Sequence, residues 1–106
     1  MPQSLAPLAL DAYVVDTLMP DLAGHDRQPS AFLVYLFLWR ATAGGRDTAE
    51  ASLRAIAEGT GLSKRGVQTA LETLVRRRLV SAKRASITAG PSYTLHRPWA
   101  RRSSGG

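Results

Sequence analysis

Apolar and polar positions alternate most informatively from Ser52 to Val80, where the chain reads SLRAIAEGTGLSKRGVQTALETLVRRRLV. Leu53, Ile56 and Ala57 are three and four residues apart or adjacent on one helical face, and Ser52 stands where it can cap that helix. Gly59 and Gly61 read as its stop, because glycine reaches positive φ without a Cβ penalty. Leu62 is the apolar plug of the turn that follows. Ser63 then caps a second helix with Val67, Ala70, Leu71, Leu74 and Val75 on its apolar side. Its other side carries Lys64, Arg65, Gln68, Thr69, Glu72, Thr73 and Arg76. The pattern predicts a short supporting helix, a glycine turn, and a longer helix with a basic, hydrogen-bonding outer face.

Upstream, Leu8 to Leu22 reads as a helix with an apolar stripe of Leu8, Val15, Leu18, Met19 and Leu22, widened by Tyr13 and Val14. Pro20 is expected to kink or end it. The stripe fits either core packing or a dimer interface. Ala23 to Gln28 reads as a polar loop, and its His25 lacks a second metal ligand at useful spacing. Pro29 and Ser30 open a nearly all-apolar run through Trp39, and periodicity alone does not separate a buried helix from a buried strand there. Its length to Thr42, the Pro-Ser start and the Gly44-Gly45 stop favour a helix. Its aromatic residues read as core before they read as a ligand pocket or stacking platform.

Downstream, Leu79 to Ile87 alternates as a strand, Thr88 to Ser92 forms a turn marked by Gly90-Pro91, and Tyr93 to Arg97 returns as a second strand ended by Pro98. Trp99 is expected to cover the sheet or an open edge of the core. Ala100 to Gly106 has no core-forming residues and reads as a flexible basic tail.

Composition narrows this picture. A chain of 106 residues with 44% apolar content fits one globular domain, and with no cysteine it has no disulfide or cysteine-ligated metal site. No basic region followed by an apolar stretch and cleavage site is seen at the N-terminus, so no signal peptide is expected. The longest apolar run, Ala31 to Trp39, is about half of the ~20 residues a membrane span needs. The net charge is +6 and the pI about 10.8. Charge is unevenly placed: residues 1–62 hold four arginines against seven acids, and residues 63–106 hold ten basic residues against Glu72 alone. A positive half that begins at the second helix is an electrostatic footprint for a polyanion.

The turn Thr60-Gly61-Leu62-Ser63, with Ile56-Ala57 before it and Val67, Leu71, Leu74 and Leu79-Val80 after it, resembles the winged helix-turn-helix of bacterial transcription regulators. With the following wing, the resemblance covers about half of the chain. Two positions depart from the usual pattern: Gly66 in the first turn of the second helix, and Arg78 where a glycine stop is common. The resemblance implies a mainly α fold with a small β-wing (α+β) and an extra N-terminal helix. It divides the chain into an N-terminal helix and loop (1–29), a candidate dimerisation element, a winged helix-turn-helix domain (30–99) and a flexible basic tail (100–106). Pro29 to Thr42 would be the first helix of the unit, and Thr48 to Ala51 a short strand joining the wing.

The resemblance also implies a recognition helix in the major groove of double-stranded DNA, needing long polar side chains near its N-terminus. Those are Ser63, Lys64, Arg65, Gln68 and Thr69, with Thr73 and Arg76 at the groove edge. Arg65 suits guanine, Gln68 suits adenine, and Ser63 and Lys64 suit phosphate. Glu72 can accept from cytosine N4, or remain solvated, or pair with Arg76. Lys83, Arg84 and Arg97 would meet backbone or the minor groove from the wing, and Arg101 and Arg102 would extend it as an arm. The expectation is a sequence-specific DNA-binding transcription regulator, a cytoplasmic, nucleoid-associated homodimer needing no cofactor. A winged helix used for protein assembly, and a plasmid replication or partition module, remain open alternatives. No serine–histidine–acid arrangement, phosphate loop or metal constellation points to an enzyme.

Overall fold

The computed structural model describes residues 7–43, 48–84 and 90–100. Helices α1 (Pro29–Ala41), α2 (Leu53–Thr60) and α3 (Lys64–Arg76) pack together, with α1 against both others. Strands β1 (Thr48–Glu50), β2 (Val80–Arg84) and β3 (Pro91–Leu95) form an antiparallel sheet in the order β1-β3-β2. Two π-helical segments, Val14–Leu18 and Pro20–His25, precede α1, and the second lies against it. This is the α+β winged-helix arrangement that the sequence pattern implies.

The N-terminal helix departs from its expected form. Its backbone closes i→i+5 rings, as Met19 N–H to Val14 O and Asp26 N–H to Asp21 O show. That wider winding stacks residues four to five apart, so Val14, Leu18 and Leu22 enter the core. Leu8, Val15 and Met19 of the expected stripe are instead exposed, as is Tyr13. Pro20 does not end the helix: it opens the second segment, which runs through Ala23–His25 where a loop was expected. The chain then reverses at Arg27 (φ 55°), and Gln28 N–H bonds Leu22 O at 2.7 Å.

Helix α1 begins at Pro29, where the missing N–H costs nothing. It buries Ala31, Phe32, Val34, Tyr35, Leu38 and Trp39, so the aromatic run is core. Helix α2 is capped by Ser52, whose Oγ accepts from Ala55 N–H at 3.0 Å. Gly61 ends it at φ 81°, whereas Gly59 lies inside the helix. The role of Gly59 is approach rather than termination, because a Cβ there would overlap the Phe37 ring of α1. Leu62 is half-buried against the core, as a plug requires.

Helix α3 is capped by Ser63, whose Oγ accepts from Gly66 N–H at 3.0 Å. At its other end Leu79 N–H bonds Leu74 O at 2.9 Å and Arg78 N–H bonds Val75 O at 3.0 Å. These are the two bonds of a Schellman motif, and Leu74 and Leu79 are both buried beneath it. Such a motif needs a left-handed residue, and Arg78 supplies it at φ 60° in place of glycine. The chain thereby turns directly into β2.

The return strand is shifted two residues toward the N-terminus from its expected position. Strand β2 is described from Val80 to Arg84, and β3 starts at Pro91 and ends at Leu95, two residues before the expected Arg97. The expected continuation of β2 to Ile87 and the turn residues Thr88 and Ala89 lie outside the described residues, as does the tail from Arg101. Within β3, Tyr93 is the buried residue, paired with Ala49 of β1 and Ala82 of β2.

The first and last described segments are both fastened to α1. Trp99 stacks on Tyr13 at 4.5 Å between ring centroids and donates to Asp11 Oδ2 at 2.8 Å. Trp39 Nε1 donates to Ala9 O, and Tyr35 Oη to His96 O, each at 2.8 Å. Burial pushes the Tyr35 phenol above its ordinary range; Arg97 offsets part of this and nearby Asp11 adds to it. Tyr35 therefore stays a neutral donor at any physiological pH.

Candidate nucleic-acid interface

The exposed side of α3 is set by its buried side. Val67, Ala70, Leu71, Thr73 and Leu74 face the core, and this leaves Lys64, Arg65, Gln68, Thr69, Glu72 and Arg76 in solvent. At 100° per residue, Arg65, Thr69, Glu72 and Arg76 fall along one outward ridge. Gln68 sits on the flank toward the sheet. With Leu71, Glu72, Val75 and Arg76 it walls a cleft of about 540 Å³ whose other side is Leu53, Ala82, Pro91 and Tyr93.

That lining fixes how the hairpin runs. Ala82 and Pro91 share the cleft with Gln68 and Leu71, whereas Val80 and Val75 meet further back in a second pocket. The open end of the hairpin therefore lies toward the N-terminal half of α3, and its root lies beside the C-terminus. Exposed Lys83 pairs in register with Ser92, and Arg84 with Pro91, so both stand at the open end. Lys83 alternates with the cleft-lining Ala82, so it leaves the opposite face of the sheet, at the end of the wing nearest the start of α3.

Charge at this surface is uncommitted. Among the described residues, Lys64, Arg65, Glu72, Arg76 and Lys83 have no ion-pair partner within 4.0 Å. The Glu72–Arg76 pair that the spacing allows is not formed, and Glu72 stands open on the ridge. Ser63 spends its hydroxyl as a helix cap, so what it offers an anion is the helix N-terminus.

Two expected contact residues lie elsewhere. Thr73 is 2% exposed, because position 73 falls on the flank of α3 that packs inward; it is removed from the interface. Arg97 lies beyond the end of β3, at the hairpin root, with its guanidinium 4.8 Å from the Trp39 ring centroid and 3.9 Å from Asp11 Oδ2. Counting from Ser92, which faces Lys83, five strand-like residues put it roughly 16 Å from the open end. It is not a wing residue.

Arg77 had no assigned role in the sequence. It ties α3 to the N-terminal segments, donating through Nη1 to both Asp26 oxygens, at 3.2 and 3.0 Å, and through Nη2 to Asp21. Acids more than fifty residues upstream gave no local signal of this. Among the described residues no group of three or more histidine or acidic side chains is arranged to hold a metal ion, and no helix is long and apolar enough to cross a membrane.

No curated protein and no solved structure matches the chain. A family model described as a helix-turn-helix domain matches residues 28–80, half of the chain. The match runs from the residue before α1 to the first residue of β2, and so takes in all three helices and the turn between α2 and α3. On that match and this geometry, the chain belongs to the helix-turn-helix domain family.

Proposed function

We propose that the protein binds double-stranded DNA sequence-specifically, as a bacterial transcription regulator. Membership of the helix-turn-helix family supports DNA binding. The observation that carries the reading is the outer side of α3: Lys64, Arg65, Gln68, Thr69 and Arg76 are exposed, and Lys64, Arg65 and Arg76 have no ion-pair partner among the described residues. In the major groove, Arg65 would pair with guanine O6 and N7, and Gln68 with adenine N6 and N7. Lys64, the α3 N-terminus and the wing cations would hold phosphates and so set register. The protein acts by binding and carries out no chemistry, and needs no cofactor.

Exposed Leu8, Leu10, Val15 and Met19, each 38–44% accessible, support a homodimer built on the N-terminal segments. Two copies would read half-sites about one helical turn apart, or a multiple of it. The mostly apolar lining of the α3–wing cleft favours a second reading, in which this face grips a protein partner.

Anisotropy with a random duplex pool across a salt titration, with the bound fraction sequenced, tests the proposal. Steeply salt-dependent binding with one motif enriched is expected, and a palindromic motif supports the dimer. Absence of binding at low salt would favour the protein-partner reading.

A further inference from the structure

The far end of α3 carries a second group of cations, separate from those of the proposed DNA face. A pocket of about 390 Å³ opens between the Schellman turn and the hairpin root. Its polar lining is Arg78, Ser81, His96 and Arg97, and Val80 and Pro98 add apolar walls. Arg97 is backed by the Trp39 ring, and Asp11, its one ion-pair partner within 4.0 Å among the described residues, also accepts from Trp99. Arg78 has no carboxylate within 4.0 Å among the described residues. It also occupies a left-handed position where glycine would be the unstrained choice. A backbone outlier of that kind motivates a functional reading of its side chain.

We propose that this pocket binds a phosphate-class oxyanion carried by a small molecule. Guanidinium groups match phosphate oxygens in pairs, and Arg78 and Arg97 place two of them around one pocket. Ser81 Oγ and His96 Nε2 lie 2.6 Å apart. Whichever of them donates in that bond, the pair keeps one proton to give: the serine O–H in one case, imidazole Nδ1–H in the other. The negative end of the α3 dipole opposes an anion here. That opposition is blunted, because the carbonyls of Thr73, Leu74 and Val75 already accept from the amides of Arg77, Leu79 and Arg78. The pocket has the size of a small-ligand site, and an occupant would bridge the end of α3 to the base of the wing.

The same phosphate chemistry is offered by a free ligand and by the DNA backbone, so both are probed. Pyrophosphate, and separately a short random-sequence duplex, are titrated into the full chain at constant ionic strength and followed by amide NMR shifts. Pyrophosphate is expected to move the amides of Arg78, Ser81 and His96. Arg78→Gly, which suits the left-handed backbone and so preserves the fold, is expected to weaken pyrophosphate at least tenfold and leave duplex affinity within twofold. The proposal is overturned if pyrophosphate shifts centre on Lys64–Arg65 and Lys83, or if Arg78→Gly binds pyrophosphate unchanged. Equal weakening of pyrophosphate and duplex would also overturn it, by giving the pocket to the DNA backbone.

Discussion

Arg65 at the start of α3 and Arg77 just past its end are the same residue in opposite surroundings. Arg65 is exposed and meets no carboxylate within 4.0 Å among the described residues. Arg77 is 32% exposed and forks onto Asp21 and Asp26. A free guanidinium keeps its hydrogen-bonding capacity for a ligand; a satisfied one has used it to join two parts of the fold. Arg97 shows the intermediate case, stacked on Trp39 and near Asp11 yet still lining a pocket. Total positive charge therefore overstates the proposed DNA face. What matters is which cations the fold leaves without acids: among the described residues Lys64 and Arg65 at the start of α3, Arg76 and Arg78 at its far end, and Lys83 on the wing have no carboxylate within 4.0 Å.

The comparison can be broken at several points. Trp99→Ala should have the largest effect on the fold, removing the Tyr13 stack and the Asp11 hydrogen bond. A loss of about 2–3 kcal/mol is expected in urea unfolding, below the full cost of a wholly buried tryptophan because Trp99 is half-buried. Arg77→Met should cost about 1–2 kcal/mol, since it strands two partly buried acids, while leaving the duplex affinity of the folded protein unchanged. If that variant instead loses DNA affinity at full stability, Arg77 belongs to the interface and the division between the two ends fails.

Arg65→Ala should do the reverse. Its thermal midpoint should hold, with stability within about 0.5 kcal/mol, while discrimination at one base pair falls by about 1–3 kcal/mol. Arg78→Gly sharpens the comparison from the other side. Relieving a left-handed arginine should raise stability by about 0.5–1 kcal/mol in the same urea assay. The smallest expected change is at Lys83→Ala, which should reduce the slope of log affinity against log salt by about one phosphate contact, whatever the duplex sequence.

Much of this architecture was legible because local chemistry dictated it. Ser52 and Ser63 cap as their positions suggest, Gly61 takes the left-handed turn, and the spacing of Val67, Ala70, Leu71 and Leu74 buries one side of α3. What was illegible depended on partners distant in sequence. The N-terminal helix was read with α-helical periodicity, and its π winding moves Val14 inward while leaving Leu8, Val15 and Met19 outside. Gly59 read as a stop because its neighbour across the helix interface, Phe37, is invisible to a local pattern. Thr73 looked like part of a polar face, but a threonine at the edge of that face is small enough to be packed inward. Arg97 seemed to extend the alternation of β3, but the strand ends at Leu95 and Arg97 lies over the Trp39 ring at the hairpin root. The candidate site was thus readable where helical periodicity alone sets exposure, and misread where tertiary contacts reassign a residue.

Selection from a random duplex pool by the wild-type chain and by Arg65→Ala plus Gln68→Ala, at one fixed salt concentration, tests the central claim most directly. A motif enriched by the wild type, and degraded in the double variant at the positions of a guanine and an adenine, is the predicted result. The same motif, equally sharp, from both proteins would contradict base reading by α3.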